Sequence, residues 1–147
     1  MNVAAVIRAA SLLTFLLTSG CVSDVKPSER NKVLWVDDKP DGNREETAAL
    51  RKSGLQVVAA TSNAQAAELF RMHRYVLIIS DIRREGTEPS TAGLELPALL
   101  RRIRADLPPV IYYVGHVERP YTDEGQPVVS KATELLQLVE SRVPRSR

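Results

Sequence analysis

An α/β fold built on a doubly wound sheet of five parallel strands is what this 147-residue chain predicts. Three observations carry that class. Three apolar runs end abruptly in polar or charged residues: Val33-Leu34-Trp35-Val36 before Asp37-Asp38, Val76-Leu77-Ile78-Ile79 before Ser80-Asp81, and Val128-Val129 before Ser130-Lys131. Runs of that length, rich in β-branched side chains and free of alternation, fit strands buried on both faces of a parallel sheet. Stretches with helical periodicity fill the intervals, so strand and helix alternate, which leads to parallel pairing with right-handed crossovers. Groups at the ends of such strands lie along the carboxyl edge, where open α/β sheets bind ligands. Three carboxylates and one ammonium are therefore expected to meet there.

The elements follow in order. After the first strand, Asn43 and Glu46 have capping-box spacing ahead of an amphipathic run to about residue 53, and Gly54 closes it as a helix C-cap. Residues 56–60 form the second strand. Ser62 and Gln65 then repeat the capping spacing, and Ala66, Ala67, Leu69 and Phe70 supply one apolar face up to Arg74. The third strand ends at Ser80. A third helix is expected over 94–104, with Pro97 in its first turn, where a missing N–H is tolerated. Its Arg101, Arg102 and Arg104 read as a solvated face. The fourth strand is 110–114 and the last helix 132–143. Residues 115–127 hold Pro120, Gly125 and Pro127 with little apolar periodicity, so a helix there is expected to be shortened or missing.

Composition bounds the rest. With 44% hydrophobic and 26% charged residues, the chain can bury one core and no second domain. A net charge of +2 does not point to nucleic acid, and no DNA-reading segment follows the last helix. The domain is expected to span 31–147 and to stand alone.

These residues and their spacing resemble the receiver domain of bacterial two-component response regulators, a flavodoxin-like fold. Asp37 and Asp38 match the family's acidic pair after the first strand, Asp81 its phosphoacceptor, and Lys131 the lysine that ends its fifth strand. Gly93-Leu94-Glu95-Leu96 resembles the start of its third helix, and residues 109–115 its fourth strand with the small residue that follows. The resemblance implies Mg²⁺ held by Asp37, Asp38, Asp81 and the backbone carbonyl of Arg83. It implies phosphorylation of Asp81 by a histidine kinase or phosphotransfer protein, with Lys131 as a point-charge partner for the phosphoryl group. The chemistry suits those types: Mg²⁺ is a hard cation that prefers oxygen ligands, it offsets repulsion among carboxylates, and an aspartate oxygen is an adequate phosphoryl nucleophile. The bland alternatives are that Asp37 and Asp38 are turn residues and that Ser130 and Lys131 only open the last helix.

Three departures from the family define a rival reading. Val114 stands where the family has a Ser or Thr. The loop after Asp81 is long and basic, and either covers the site or supplies Arg83 as an alternative phosphate donor. The family's fourth helix, part of its output face, is reduced. The rival is a pseudo-receiver, a protein-binding module that switches without phosphorylation. Neither reading makes the chain an enzyme beyond its own phosphoryl transfer. A haloacid-dehalogenase-type phosphatase needs two aspartates separated by one residue, whereas Asp37 and Asp38 are adjacent.

Residues 1–30 read as a leader and polar linker. Arg8, an apolar stretch over 9–17, small residues at 18–20 and the sole cysteine, Cys21, resemble a lipoprotein signal peptide, although Thr18 stands where Leu, Val or Ile is usual. The stretch is too short to span a bilayer. Processing would lipidate Cys21 and anchor the protein outside the inner membrane, away from any kinase. A mis-assigned start codon or an unprocessed terminus would leave it cytoplasmic.

Overall fold

A computed structural model describes residues 30–86 and 90–144. The leader, Cys21 and the linker as far as residue 29 lie outside the described residues. The elements run β1 (Lys32–Val36), α1 (Arg44–Lys52), β2 (Gln56–Ala60), α2 (Asn63–Met72), β3 (Leu77–Ser80), α3 (Ala92–Ile103), β4 (Val110–Tyr113), β5 (Val128–Val129) and α4 (Ala132–Arg142), with one 3-10 turn at Pro40–Asn43. All strand pairs are parallel and the order is β2-β1-β3-β4-β5. The expected doubly wound sheet is present. Its register sets the site: Val36 lies opposite Ser80 and Ser80 opposite Tyr112, so Asp37 and Asp81 leave β1 and β3 side by side.

Alternate strand residues feed two cores. Leu34, Val36, Ile78, Val110 and Tyr112 pack with Phe70 of α2 and with Leu96 and Leu100 of α3. Val33, Trp35, Leu77, Ile79 and Ile111 pack on the opposite face with Leu50 of α1 and with Leu135 and Val139 of α4. Each fully buried aliphatic or aromatic side chain contributes about 1.5–3 kcal/mol, which is why unbroken apolar runs specify central strands.

Several local expectations changed. Asn43 does not cap α1: the 3-10 turn already leads into the helix, and the Asn43 amide instead donates to Asp37 Oδ2 at 2.8 Å. Glu46 accepts from the Tyr113 hydroxyl at 2.9 Å. The second cap forms, with Ser62 Oγ accepting from the Gln65 N–H at 3.1 Å. Helix α3 begins at Ala92, two residues earlier than the sequence suggests, so Pro97 lies inside it. The N–H that proline lacks would have gone to the Gly93 carbonyl. That carbonyl is satisfied by the Tyr112 hydroxyl at 2.8 Å. Arg104 leaves the solvated face, its guanidinium 4.1 Å from the Phe70 ring centroid while it donates to the Phe70 and His73 carbonyls at the end of α2.

No helix forms over 115–127, and α4 is the helix that follows β5. The connection instead makes a turn around Thr122–Gln126, with Gly125 at φ +83°, and an antiparallel bridge from Tyr121 to Pro127. The Val128 N–H then donates to the Pro120 carbonyl at 2.9 Å. Among the described residues no helix is long and apolar enough to cross a membrane.

Candidate metal centre at the carboxyl edge

Asp37, Asp38 and Asp81 converge, with one carboxylate oxygen from each lying within 4.8 Å of the others. Strand register brings Asp37 and Asp81 together, and local bonds fix the pair. Asp37 accepts from the Lys39 N–H at 2.8 Å and from Asn43 at 2.8 Å, and Asp38 Oδ2 accepts from the Glu85 N–H at 3.2 Å. Asp81 is the deepest, 8% exposed. Burial pushes its carboxyl up to about 6; the neighbouring Asp37 and Asp38 add to the rise, and Arg84 opposes it. Three hard oxygen donors this close, one disfavoured as an anion, form a donor set that fits Mg²⁺.

Arg84 escaped the sequence reading. It is almost wholly buried, and its Nε donates to Asp81 Oδ1 at 2.8 Å. A terminal nitrogen donates to Ser80 Oγ at 3.0 Å, and the other to Asn63 Oδ1 at the start of α2. Ser80 directs its own hydroxyl proton to the Asp81 carbonyl at 2.7 Å, leaving its oxygen to accept from Arg84. The available signal was a pair of arginines one residue beyond Asp81, without any pattern to say which one turns inward.

Helix α3 abuts the same segment. The Gly93 N–H donates to the Ile82 carbonyl at 3.0 Å. A Cβ on Gly93 would fall inside the Asp81 carbonyl oxygen and 2.8 Å from Ile82 Cα, so only glycine fits. The close contact seats the start of α3 against the backbone that carries Asp81.

The remaining candidates are placed differently. Val114 lines the cleft and offers no hydroxyl. The Arg83 side chain pairs with Glu118 at 3.3 Å, both well exposed, while Arg83 itself lies along the cleft wall. Lys131 is the N-cap of α4, exposed and not among the residues lining the cleft, although Ser130 before it is.

Residues 33–139 match the family described as response regulator receiver domain. No curated protein sequence matches the chain. Among solved structures, response regulator protein TrrA from Thermotoga maritima, in complex with Mg(2+)-BeF, is 24% identical with a TM-score of 0.62, over 76% of this chain and 97% of that one. Chemotaxis protein CheY4 from Vibrio cholerae is 19% identical at a TM-score of 0.60, over 76% and 97%. A two-component response regulator from Clostridium difficile is 18% identical at 0.62, over 78% and 97%. These likenesses agree on the fold. Given the sheet order, the acidic edge and a family match over most of its length, the chain belongs to the response regulator receiver domain family of two-component signalling.

Proposed function

We propose that this domain serves phosphorelay signalling by accepting a phosphoryl group on Asp81, with Mg²⁺ held by Asp37, Asp38, Asp81 and the backbone carbonyl of Arg83. The observation that carries this reading is the convergence of three carboxylates, the innermost at the end of the central strand β3. A bound divalent cation would supply charge neutralisation for an incoming anion. The chain's own residues do the rest. An Asp81 carboxylate oxygen attacks phosphorus and forms an O–P bond as the bond from phosphorus to the donor's imidazole nitrogen breaks, that nitrogen keeping the electron pair. The two bonds to Asp37 hold that ligand's orientation. Lys131, on the same edge, would swing in from solvent to meet the phosphoryl group. The partner is a histidine kinase or phosphotransfer protein, and this reading takes the domain to work in the cytoplasm with Cys21 unmodified.

Incubation with acetyl phosphate and Mg²⁺ tests the reading directly. Intact-protein mass spectrometry should show one added phosphoryl group on wild type and none on Asp81→Asn; an unchanged wild-type mass rejects it. Val114 and the closed Arg84–Asp81 pair favour a second reading, the pseudo-receiver that keeps the fold and acts through partners alone. That reading takes over if the wild type forms no adduct.

A further inference from the structure

We infer that Arg84 is the preformed phosphoryl-binding cation of this domain, supplying from the loop after β3 charge-assisted hydrogen bonds that the end of β4 cannot make and that Lys131 makes only by moving in from solvent. The inference rests on the phosphoacceptor reading of Asp81. Three observations lead to it. The residue that follows β4 is Val114, which has no donor. The other nearby cations face solvent: Arg83 is engaged with Glu118, and Lys131 is exposed outside the cleft lining. Arg84, by contrast, is the only buried lysine or arginine among the described residues, and its Nε already touches the reacting carboxylate at 2.8 Å.

The setting of Arg84 is built rather than incidental. Ser80 Oγ and Asn63 Oδ1 hold the two terminal nitrogens, so the guanidinium plane is fixed by β3 on one side and α2 on the other. A planar fork of N–H donors suits a tetrahedral oxyanion better than a point charge does, and it keeps its charge at any physiological pH. Phosphorylation of Asp81 replaces a carboxylate with a more highly charged group centred about one bond further out. The cationic side chain nearest to that new charge is the one already in contact with Oδ1.

Before transfer, the same cation acts in the opposite sense on a metal. A positive charge beside Asp81 weakens the pull of the three carboxylates on a divalent ion. Removing Arg84 should therefore have opposite effects on two ligands, tightening Mg²⁺ and weakening a phosphoryl mimic. An arginine that merely props the loop would, when lost, weaken both.

The test titrates Mg²⁺ alone, then beryllofluoride at saturating Mg²⁺, into wild type, Arg84→Met and Arg84→Lys, with Asp81→Asn as the control. We expect Arg84→Met to bind Mg²⁺ several-fold more tightly and beryllofluoride roughly tenfold or more weakly, the loss anticipated for a hydrogen bond to a charged group. Arg84→Lys, which keeps charge and loses the fork, should fall between. In the wild type the ¹⁵N resonance of the Arg84 Nε should shift on adding beryllofluoride, a readout that needs no variant to fold. A stationary Arg84 resonance in a wild type that binds beryllofluoride through Asp81 overturns the inference, as does a folded Arg84→Met that keeps wild-type beryllofluoride affinity or loses affinity for both ligands. A wild type with no Asp81-dependent response overturns the phosphoacceptor reading, and this inference with it.

Discussion

Beside the end of β3, a Cβ added to Gly93 would collide with the Asp81 backbone, whereas beyond β4 a Cβ added to Gly115 would meet nothing within 4 Å. The two halves of the carboxyl edge differ throughout in this way. On the β1 and β3 side, both oxygens of Asp37, one oxygen of Asp38 and one of Asp81 are engaged by protein donors, and Arg84 is buried behind them. On the β4 and β5 side, the final strand is two residues long, Lys131 is exposed, and a turn replaces any helix. Close packing and fixed hydrogen bonds are concentrated where like charges must be held together, since a misplaced buried charge is far more costly than a loose surface loop. The half that in the family carries the hydroxyl of the phosphorylation switch is the half left open.

The glycines give the sharpest way to break that contrast. Gly93→Ala should lower stability by roughly 3 kcal/mol or more, because backbone atoms rather than a flexible side chain stand in the way. Gly115→Ala should stay within about 0.5 kcal/mol. Urea denaturation of both variants measures the difference, and equal losses would erase the distinction between the two halves.

Next in size is the pH response of Asp81 in metal-free buffer. Its carboxyl is raised from 3.8 to about 6 by burial and by Asp37 and Asp38, with Arg84 only partly offsetting them. The native state therefore holds the proton more tightly than the unfolded chain does. The stability this confers is fully present below 3.8 and is lost as pH rises through about 6. On the order of 3 kcal/mol should separate the two ends for wild type, and Asp81→Asn should lack that component. Matching thermal-melt profiles over this range would show that Asp81 is not strained in the native fold.

Millimolar Mg²⁺ should raise the melting temperature of wild type, because a ligand that binds only the native state stabilises it by mass action. Asp38→Ala should abolish that gain, as it removes one oxygen donor of the three. Identical shifts in both proteins would place the cation elsewhere.

The smallest effect belongs to the open half. Val114→Thr is nearly isosteric and adds one donor beside the cleft, so it should strengthen the spectral response to beryllofluoride modestly, visible in the amide resonances of residues 115–121. No change would mean that the donor at this position is dispensable, in keeping with Arg84 filling the role.

Periodicity and burial logic made most of this fold legible. The central strands are apolar on both faces because helices cover both, and that pattern needs no tertiary information. Asp37, Asp38 and Asp81 could be placed because a strand end fixes an edge. What escaped detection depends on contacts between distant segments. Thr91 makes no side-chain cap, and the start of α3 is set by the approach of Gly93 to Asp81, so local signals missed it by two residues. Asn43 has good capping chemistry but finds a carboxylate instead. Arg83 and Arg84 are indistinguishable as neighbours in a chain; one faces Glu118 in solvent and the other is drawn to Asp81, Ser80 and Asn63. Arg104 likewise left its expected surface for the ring and carbonyls at the end of α2.

Trp35, the chain's one tryptophan, sits in β1 two residues before Asp37, its ring edge-on to Tyr113 at 5.9 Å and 79°. Tyr113 in turn bonds Glu46 on α1. The indole is therefore shielded from solvent yet joined through one ring to the open side of the edge and through two backbone links to the crowded side. A native fluorophore thus stands two residues from Asp37, and events at the acidic edge can be sought in its emission from a dilute sample without a dye, a tag or an added label.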